Sequence, residues 1–191
     1  MAFEGEEPTD EALVARVATG DRTAFAVLVN RYGLRYRALA FRYLGDMARA
    51  EDLVQEAFVK LWTHAGRFDA GKAKFTTWFH RIVVNRCLDD KRRKKADPLP
   101  EGFDQADERP DAEAGLAEES GKARLRLALD ALSDRQKLAV TLSYFDGLSN
   151  VEAADAMDMK LKAYESLLVR SRAKLRERLQ AEKQQLFDAL G

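Results

Sequence analysis

The stretch from Leu142 to Leu175 constrains the fold most, because it predicts two helices joined by a tight turn. Ser149-Asn150-Val151-Glu152 has the spacing of a capping box and predicts the start of the first helix. Asp158 falls where the turn favours left-handed backbone, which Asp tolerates better than most residues other than glycine. The helical spacing predicts apolar faces formed by Val151, Ala154 and Met157 on the first helix and by Leu161, Tyr164, Leu167, Leu168 and Leu175 on the second.

Basic residues crowd the C-terminal half of the second predicted helix, at Arg170, Arg172, Lys174, Arg176 and Arg178. The layout predicts a helix-turn-helix whose second helix could enter the major groove of DNA. The same cations would also complement the helix macrodipole and keep a surface soluble. The hairpin alone therefore leaves both DNA binding and a solvated helix open.

The composition favours an all-α protein of one or two modest cores, with 11 Gly and 4 Pro in 191 residues. A single cysteine excludes an internal disulfide and favours a reducing compartment. No apolar run approaches the roughly 18 residues of a membrane span, and the acidic N-terminus lacks the pattern of a signal peptide. We therefore expect a cytoplasmic protein. With 32 basic and 32 acidic side chains, bulk charge would not hold the chain on DNA.

The charge is unevenly distributed along the chain and predicts a linker. Residues 94–121 carry 3 basic and 9 acidic side chains, whereas residues 1–93 and 122–191 each carry a net charge of +3. The acidic segment also contains three of the four prolines. Such a segment repels itself and stays extended. We expect two small helical domains, 1–95 and 122–191, joined by an acidic flexible linker at 96–121.

The N-terminal domain reads as a series of amphipathic helices. Leu13, Val14 and Val17 indicate a short first helix, and the apolar pattern from Phe25 to Tyr43 indicates a longer one that stops at Gly45-Asp46. In the next helix, an apolar stripe is predicted at Leu53, Val54, Ala57, Phe58, Leu61 and Trp62. That stripe leaves Asp52, Gln55, Glu56 and Lys60 together on the opposite face.

The last helix of this domain interleaves aromatic and basic residues. Its apolar stripe is predicted at Phe75, Trp78, Phe79, Ile82 and Val83, and it runs into the basic stretch 91–95. Cations here could follow phosphates, and aromatic rings could stack on unpaired bases. The alternative is that the aromatic rings are ordinary core and the basic stretch is a solvated helix end.

Taken together, the chain resembles the extracytoplasmic-function (ECF) sigma factors, the small two-domain promoter-recognition subunits of bacterial RNA polymerase. The resemblance runs from about Asp21 to Leu179 and is interrupted only by the linker. It rests on three groups of motifs in the right order: AEDLVQEAFVKLW at 50–62, FTTWF at 75–79 with RIVVN at 81–85, and, in the second domain, LSDRQ at 132–136, YFDGLS at 144–149 and RAKL at 172–175.

The resemblance implies a role for each surface. The exposed face of the AEDLVQEAF helix would bind the clamp coiled coil of core polymerase, through Asp52, Gln55, Glu56 and Lys60. The following loop and helix would melt and read the −10 element, with Phe68 and Trp78 at an extruded base, Asn85 on base edges, and Arg81, Arg86, Arg92 and Arg93 on the backbone. It also implies a contact with the polymerase flap, a cognate anti-sigma partner, a stress-response regulon, no enzymatic activity, and neither cofactor nor metal.

The helix-turn-helix would read the −35 element, and here the chain departs from the family pattern. Lys160 stands where the family usually has a Ser or Thr cap, Lys162 replaces a common glycine, and Leu167 occupies a position that is often basic. The candidate groove-facing residues are Lys160, Lys162, Glu165, Ser166 and Arg170, with Arg172 and Lys174 further along the helix.

Two other functions compete with this interpretation. A dimeric helix-turn-helix activator would bind palindromic DNA without polymerase, but it leaves the face around Gln55 unexplained. A helical enzyme is disfavoured, because the two histidines, His64 and His80, have no cysteine partner and no convergent carboxylate cluster. His64, His80 and Cys87 also lack a metal-site spacing, so we predict Cys87 to be a thiol in a helix core.

Overall fold

The structure, a computed structural model, describes residues 7–96 and 124–190, with side chains at 7–93 and 124–181. The described residues form helices and contain no strand. In chain order these are α1 (Asp10–Ala18), α2 (Arg22–Leu44), α3 (Met47–His64), a 3₁₀ turn (Ala65–Arg67), α4 (Phe75–Ala96), α5 (124–130), α6 (Asp134–Val140) continuing as a π-helical turn (Thr141–Phe145), α7 (Asn150–Ala156) and α8 (Leu161–Leu190). The all-α prediction is confirmed. Apart from Ala96, the predicted linker at 96–121 lies outside the described residues.

Helices of the N-terminal domain begin and end where the local chemistry places the boundaries. The Asp21 carboxylate caps α2 by accepting hydrogen bonds from the amides of Thr23 and Ala24, and the Ala24 bond is the main reason that the pKa of Asp21 is lowered. Gly45 ends α2 in left-handed backbone at φ 76°, which glycine adopts without steric cost. Asp46 then caps α3, because its carboxylate accepts a hydrogen bond from the amide of Arg49 at 3.1 Å.

The second domain contains the predicted helix-turn-helix. Ser149 and Glu152 form the predicted capping box at the start of α7, and Asp158 has the predicted left-handed backbone at φ 52°. A second capping box, between Ser133 and Gln136, starts α6. These caps satisfy amides that have no partner within their helices, and they fix where α6 and α7 begin.

Two residues predicted to be buried in the helix-turn-helix are exposed. Val151 is 55% exposed, because α7 buries the face formed by Ala153, Ala154, Ala156 and Met157 and leaves Val151 at its margin. Leu161 is 41% exposed, because it is the first residue of α8 and lies outside the packed stripe of Tyr164, Leu167 and Leu168. The helices were predicted correctly, but each predicted apolar face wrongly included a residue from the first turn of its helix.

The two domains pack against each other and share one apolar core. Phe75, Phe79 and Val83 of α4 belong to the same buried cluster as Ala153, Ala154 and Met157 of α7. The small side chains of α7 let the backbones of α4 and α7 approach closely, and these two helices make the most extensive contact between the domains. In the described part of the chain, none of the helices has the length and apolar character needed to cross a membrane.

Candidate nucleic-acid and partner-binding surfaces

The exposed face of α3 carries the four residues predicted to bind polymerase. Asp52, Gln55, Glu56 and Lys60 are all exposed, because Leu53, Val54, Ala57, Phe58 and Leu61 direct the opposite face into the core. Val59 lies among them with 61% of its surface exposed, and the sequence reasoning did not select it. The α3 face thus combines acidic and amide groups with an exposed apolar side chain.

An apolar groove flanks the α3 face on the side of α2. It is lined by Val29, Gly33, Leu34, Val54 and Phe58, with Arg37, Glu51 and Gln55 at its edge. Leu34 is 71% exposed. The sequence analysis did not predict this groove, although the sequence contains a sign of it. Leu34 falls outside the apolar spacing of Leu28, Tyr32, Tyr36 and Leu39, which indicates an apolar side chain on the exposed face of α2.

Most of the predicted −10 cations and Asn85 lie on one side of α4. Arg81, Asn85, Arg92 and Arg93 are exposed, and Arg92 lies 3.6 Å from the Asp89 carboxylate. Arg86 is only half-exposed, because it forms an ion pair with Glu56 of α3. That pair joins one residue predicted to bind DNA to another predicted to bind polymerase.

The predicted aromatic residues are packed rather than free-standing. The ring of Phe68 lies 5.4 Å from that of Trp78 and 6.4 Å from that of Phe75, centroid to centroid. Phe68 and Trp78 are half-buried, whereas Phe75 and Phe79 are fully buried and stack at 5.5 Å. Phe68 and Trp78 therefore keep part of their surface available to an unpaired base, while Phe75 and Phe79 serve as core.

Cys87 and His80 are both buried. Cys87 is fully buried, as predicted, and burial raises the pKa of its thiol. His80 is 1% exposed, and its Nδ1 donates to the Thr76 carbonyl at 2.6 Å. Burial lowers the pKa of His80 to about 4, aided by the charge of Arg35 and opposed by the Thr76 bond. His80 is therefore neutral at physiological pH.

The start of α8 presents most of the predicted −35 residues. Lys160, Lys162, Glu165, Ser166, Arg170 and Arg172 are exposed, and Lys174 is half-buried. Leu167, which stands where the family often has a basic residue, is buried, so this difference affects the packing of α8. The Ser166 hydroxyl donates to the Lys162 carbonyl at 2.8 Å. Val169 is 63% exposed on this helix and was not selected from the sequence.

A polar seam, which the sequence did not predict, links the two domains beside these surfaces. We define the interdomain seam by Arg35, Arg42, Lys74 and Arg81 of the N-terminal domain and Asp146, Glu152 and Asp158 of the C-terminal domain. Arg81 pairs with Asp158 at 2.7 Å, and the Lys74 ammonium lies 3.9 Å from Glu152. Arg35 donates to the Asp146 carbonyl at 2.9 Å.

The Asp146 carboxylate is the buried charge of the interdomain seam. Its side chain is 3% exposed and lies 3.8 Å from the Arg42 guanidinium. Burial raises the pKa of Asp146 to about 6, although Arg42 and Arg35 both act to lower it. Arg42 also lies over the ring of Phe145 at 5.0 Å. Desolvation of the carboxylate therefore outweighs its attraction to two arginines.

Among the described residues, no group of three or more His, Cys, Asp and Glu side chains could hold a metal ion. The surfaces described above can bind partners through charge and aromatic stacking. They are an acidic face on α3, a basic face on α4, and a helix-turn-helix with cations at the start of its second helix. These surfaces suit a protein partner and nucleic acid.

Comparison with known proteins agrees with this geometry. Residues 28–96 match sigma-70 region 2, and residues 122–175 match sigma-70 region 4. The chain is 35% identical to the ECF RNA polymerase sigma factor SigE of Mycolicibacterium smegmatis, over 91% of this chain and 70% of the relative. It is 36% identical to the RNA polymerase sigma factor NccH of Alcaligenes xylosoxydans xylosoxydans, over 90% and 95% of the two chains.

A solved structure supports the same assignment. CnrH, in complex with the cytosolic domain of CnrY, superimposes with a TM-score of 0.70 at 28% identity, covering 90% of this chain and 97% of that chain. One matched region covers most of α2, with α3 and α4, and the other covers α5 to the first half of α8. The chain therefore belongs to the extracytoplasmic-function sigma factors, which direct RNA polymerase to specific promoters.

Proposed function

We propose that three surfaces of this chain divide the work of promoter recognition: the α3 face binds core polymerase, the α4 face reads the −10 element, and the start of α8 reads the −35 element. The observation that carries the proposal is the adjacency of an acidic helix face and a basic one, on α3 and α4. An acidic face can attract a basic protein surface, and a basic face can attract phosphates.

The α3 face would meet a basic helical partner, the clamp coiled coil of polymerase. Asp52, Gln55, Glu56 and Lys60 supply polar contacts that set orientation and association rate. Val59 and the groove at Leu34 add apolar surface, which contributes affinity when a partner covers it. The polymerase flap would contact the second domain.

The α4 face would hold the −10 element as a single strand. Asn85 can donate and accept hydrogen bonds at once, so it suits the edge of an exposed base. Arg81, Arg86, Arg92 and Arg93 would contact phosphates, and the exposed parts of Phe68 and Trp78 would support an extruded base. The contacts of Asn85, Phe68 and Trp78 with bases require an unpaired strand at α4.

The helix-turn-helix would dock the start of α8 in the major groove of the −35 duplex. Lys160, Lys162, Glu165, Ser166 and Arg170 are placed to reach base edges or phosphates. Arg172 and Lys174 lie one turn further on and would contact the backbone. We propose domain boundaries at 1–95 and 122–191, with the acidic segment 96–121 spanning the distance between the two elements.

We further propose a cognate anti-sigma protein as partner, since CnrH was solved with the cytosolic domain of CnrY. The groove at Leu34 and the α3 face are the surfaces that such a protein would cover to exclude polymerase. We place this activity in the bacterial cytoplasm, where polymerase and promoters are found, and assign the chain a role as an initiation factor without catalysis of its own.

The test is in vitro transcription from a genomic fragment library, with purified chain and core polymerase and with start sites mapped. We expect new start sites that share two upstream elements, and we expect Asp52→Ala to reduce transcription from them because it weakens polymerase binding. Glu177→Ala, at an exposed acid of α8 outside the proposed surfaces, is the matched control. A chain that fails to bind core polymerase but binds a palindromic duplex alone would instead be a free-standing activator.

A further inference from the structure

Helix α1 lies against both segments that flank the loop carrying Phe68. The match to sigma-70 region 2 begins at residue 28, so α1 lies outside it. This helix packs on the 3₁₀ turn that precedes Phe68 and on α4, which begins at Phe75. The helix therefore contacts the part of the domain that is proposed to support an extruded base.

A side chain of α1 caps α4. The Glu11 carboxylate accepts a hydrogen bond from the Phe75 amide at 3.1 Å. Phe75 is the first residue of α4, so its amide has no partner within the helix. The side chain of the preceding residue, Lys74, has no acceptor atom and cannot cap the helix. The acceptor therefore comes from a residue 64 positions away in sequence, and its negative charge suits a helix N-terminus.

Phe75 also contacts both of the rings that are proposed to support a base. Its ring lies 6.4 Å from the rings of Phe68 and Trp78, centroid to centroid, and stacks on that of Phe79 at 5.5 Å. Because Phe75 is fully buried in a close-packed core, its ring cannot shift without moving these neighbours. A displacement of the first turn of α4 would therefore change where Phe68 and Trp78 present their exposed parts.

The residue before Glu11 holds α1 at the same place through a second contact. The Asp10 carboxylate accepts a hydrogen bond from the Tyr32 hydroxyl and pairs with Arg31 at 2.6 Å. Burial, together with the bond to Asp10, raises the pKa of Tyr32, so this hydroxyl stays protonated and remains a donor. The Tyr32 ring lies 5.4 Å from the Phe75 ring. Two consecutive acids of α1 thus attach this helix to α2 and α4 around Phe75.

The loop between the 3₁₀ turn and α4 has a contact of its own at Asp69. The Asp69 carboxylate accepts a hydrogen bond from the Gly71 amide at 3.0 Å and pairs with Lys72 at 2.9 Å. Both contacts are exposed and local, so they shape the turn without attaching it to another helix. The bond between Glu11 and the Phe75 amide, in contrast, attaches the end of the loop to α1.

We propose that Glu11 is a positioning residue for recognition of the −10 element, because it holds the first turn of α4 and so sets where Phe68 and Trp78 meet an extruded base. Glu11 acts through the Phe75 amide and does not itself contact the strand. This role rests on the proposed function, in which α4 and the preceding loop read the −10 element. It gives α1, which lies outside the matched region, a part in promoter recognition.

The first test measures the affinity of holoenzyme, assembled from each variant and core polymerase, for a labelled single-stranded −10 oligonucleotide from the mapped promoters. Glu11→Ala should weaken binding by about threefold to fivefold, the effect of losing one helix cap when affinity follows the fraction of chains in the competent arrangement. Loss of a negative charge by itself would favour phosphate binding, so a fall in affinity identifies the lost hydrogen bond.

Two conservative variants separate the hydrogen bond from the charge. Glu11→Gln keeps an acceptor oxygen at the same reach and should bind the −10 strand like the wild type. Glu11→Asp keeps the charge but shortens the side chain, and it should bind as weakly as Glu11→Ala. The opposite order, with Glu11→Asp like the wild type and Glu11→Gln weakened, would overturn the proposal, because charge and not the bond would then matter.

Asp21→Ala is the matched control. Asp21 is an acid of the same domain that caps α2 through the amides of Thr23 and Ala24, so this variant also loses a cap and a negative charge. It should lower the melting temperature at least as much as Glu11→Ala does and should not weaken binding of the −10 strand. Equal weakening in both variants would show that Glu11 acts only through stability, and would overturn the proposal.

The second test reports on the loop directly through Trp78. The chain has two tryptophans, so a Trp62→Phe background leaves Trp78 as the single fluorescent indole. Trp62 packs against the Phe25 ring at 5.2 Å, a contact that phenylalanine keeps in part. In this background Glu11→Ala should shift the emission maximum of Trp78 in the folded protein, whereas Asp21→Ala should not. An unshifted maximum in Glu11→Ala overturns the proposal.

The positioning role and the proposed function fail differently. A chain that yields no promoter-specific transcripts with core polymerase would contradict the proposed function, whatever the Glu11 variants show. A chain that transcribes from specific promoters, and whose Glu11→Ala variant binds the −10 strand like the wild type, would contradict only the positioning role.

Discussion

The Arg86 guanidinium of α4 forms an ion pair with the Glu56 carboxylate of α3, so that a cation proposed to contact DNA and an anion proposed to contact polymerase neutralise each other in the free chain. The Arg86 side chain is 31% exposed and the Glu56 side chain 51%. Ion pairs that are this exposed contribute between about 0 and 1 kcal/mol to the free energy of unfolding. The pair is therefore weak enough to exchange for contacts with polymerase and with phosphate.

Glu56→Gln should have opposite effects on the two partners. Loss of the carboxylate weakens binding to core polymerase, while the freed Arg86 raises affinity for single-stranded −10 DNA by up to about fivefold. Fluorescence anisotropy with each partner measures both changes.

Asp52→Asn is the matched control for this pair, since it alters the same α3 face without an ion pair to Arg86. It should weaken polymerase binding and leave affinity for the −10 strand unchanged. If Glu56→Gln and Asp52→Asn changed the affinity for the −10 strand equally, the ion pair with Glu56 would not limit DNA binding by Arg86.

Asn85→Ala should impair reading of the −10 element without destabilising the protein, because Asn85 is exposed. Loss of a bidentate base contact costs about 1–3 kcal/mol of discrimination, or roughly 5- to 150-fold. Transcription from the mapped promoters and from −10 substitutions measures it. Asn150→Ala, at an exposed position outside the proposed surfaces, should transcribe normally. Retained discrimination in Asn85→Ala would remove Asn85 from the reading surface.

Lys162→Gln should weaken −35 duplex binding and change its salt dependence. If Lys162 neutralises one phosphate, the slope of log K against log salt becomes shallower by about 0.9. Titrations at several KCl concentrations measure the slope. Arg178→Gln removes a charge further along α8 and should leave the slope as in the wild type, so identical slopes in all three proteins would place Lys162 away from the backbone.

Asp146→Asn should stabilise the protein near neutral pH. The pKa of Asp146 is raised from 3.8 to about 6 in the folded chain, so the charged form opposes folding above about pH 6 and that cost disappears below about pH 4. A neutral isostere should raise the free energy of unfolding by up to about 3 kcal/mol near pH 7.5, from about two pKa units at 1.36 kcal/mol each. Urea denaturation at pH 7.5 and pH 4 measures the change.

His80 has the opposite pH dependence, and this provides a check on the Asp146 prediction. The pKa of His80 is lowered from 6.5 to about 4, so folding loses stability as pH falls from about 6.5 towards 4. In the wild type, the effects of Asp146 and His80 on the pH dependence of the free energy of unfolding offset each other. Asp146→Asn should therefore lose stability more steeply on acidification than the wild type does. A gain that persists undiminished at pH 4 would contradict the assigned titration.

The helices and the surface residues on α3, α4 and α8 were predictable because each depends on local chemistry. Periodic apolar residues fixed the buried face of α3, and the Ser149–Glu152 box and Asp158 fixed the turn. The interdomain seam was not predictable, since Asp146 and Arg42 are far apart in sequence and nothing near either indicates its partner. The packing of Phe68 on Trp78 was also missed, because it depends on how the loop between α3 and α4 folds.

The burial of Cys87 determines how a chemical stress could act on this protein. An oxidant attacks a thiolate, and this sulfur is both shielded by the core and held in its protonated form. With no other cysteine in the chain, the folded protein offers oxidants no thiol to attack. A stress that acts through thiol oxidation would therefore have to be sensed by another molecule and conveyed to this chain as a change in binding.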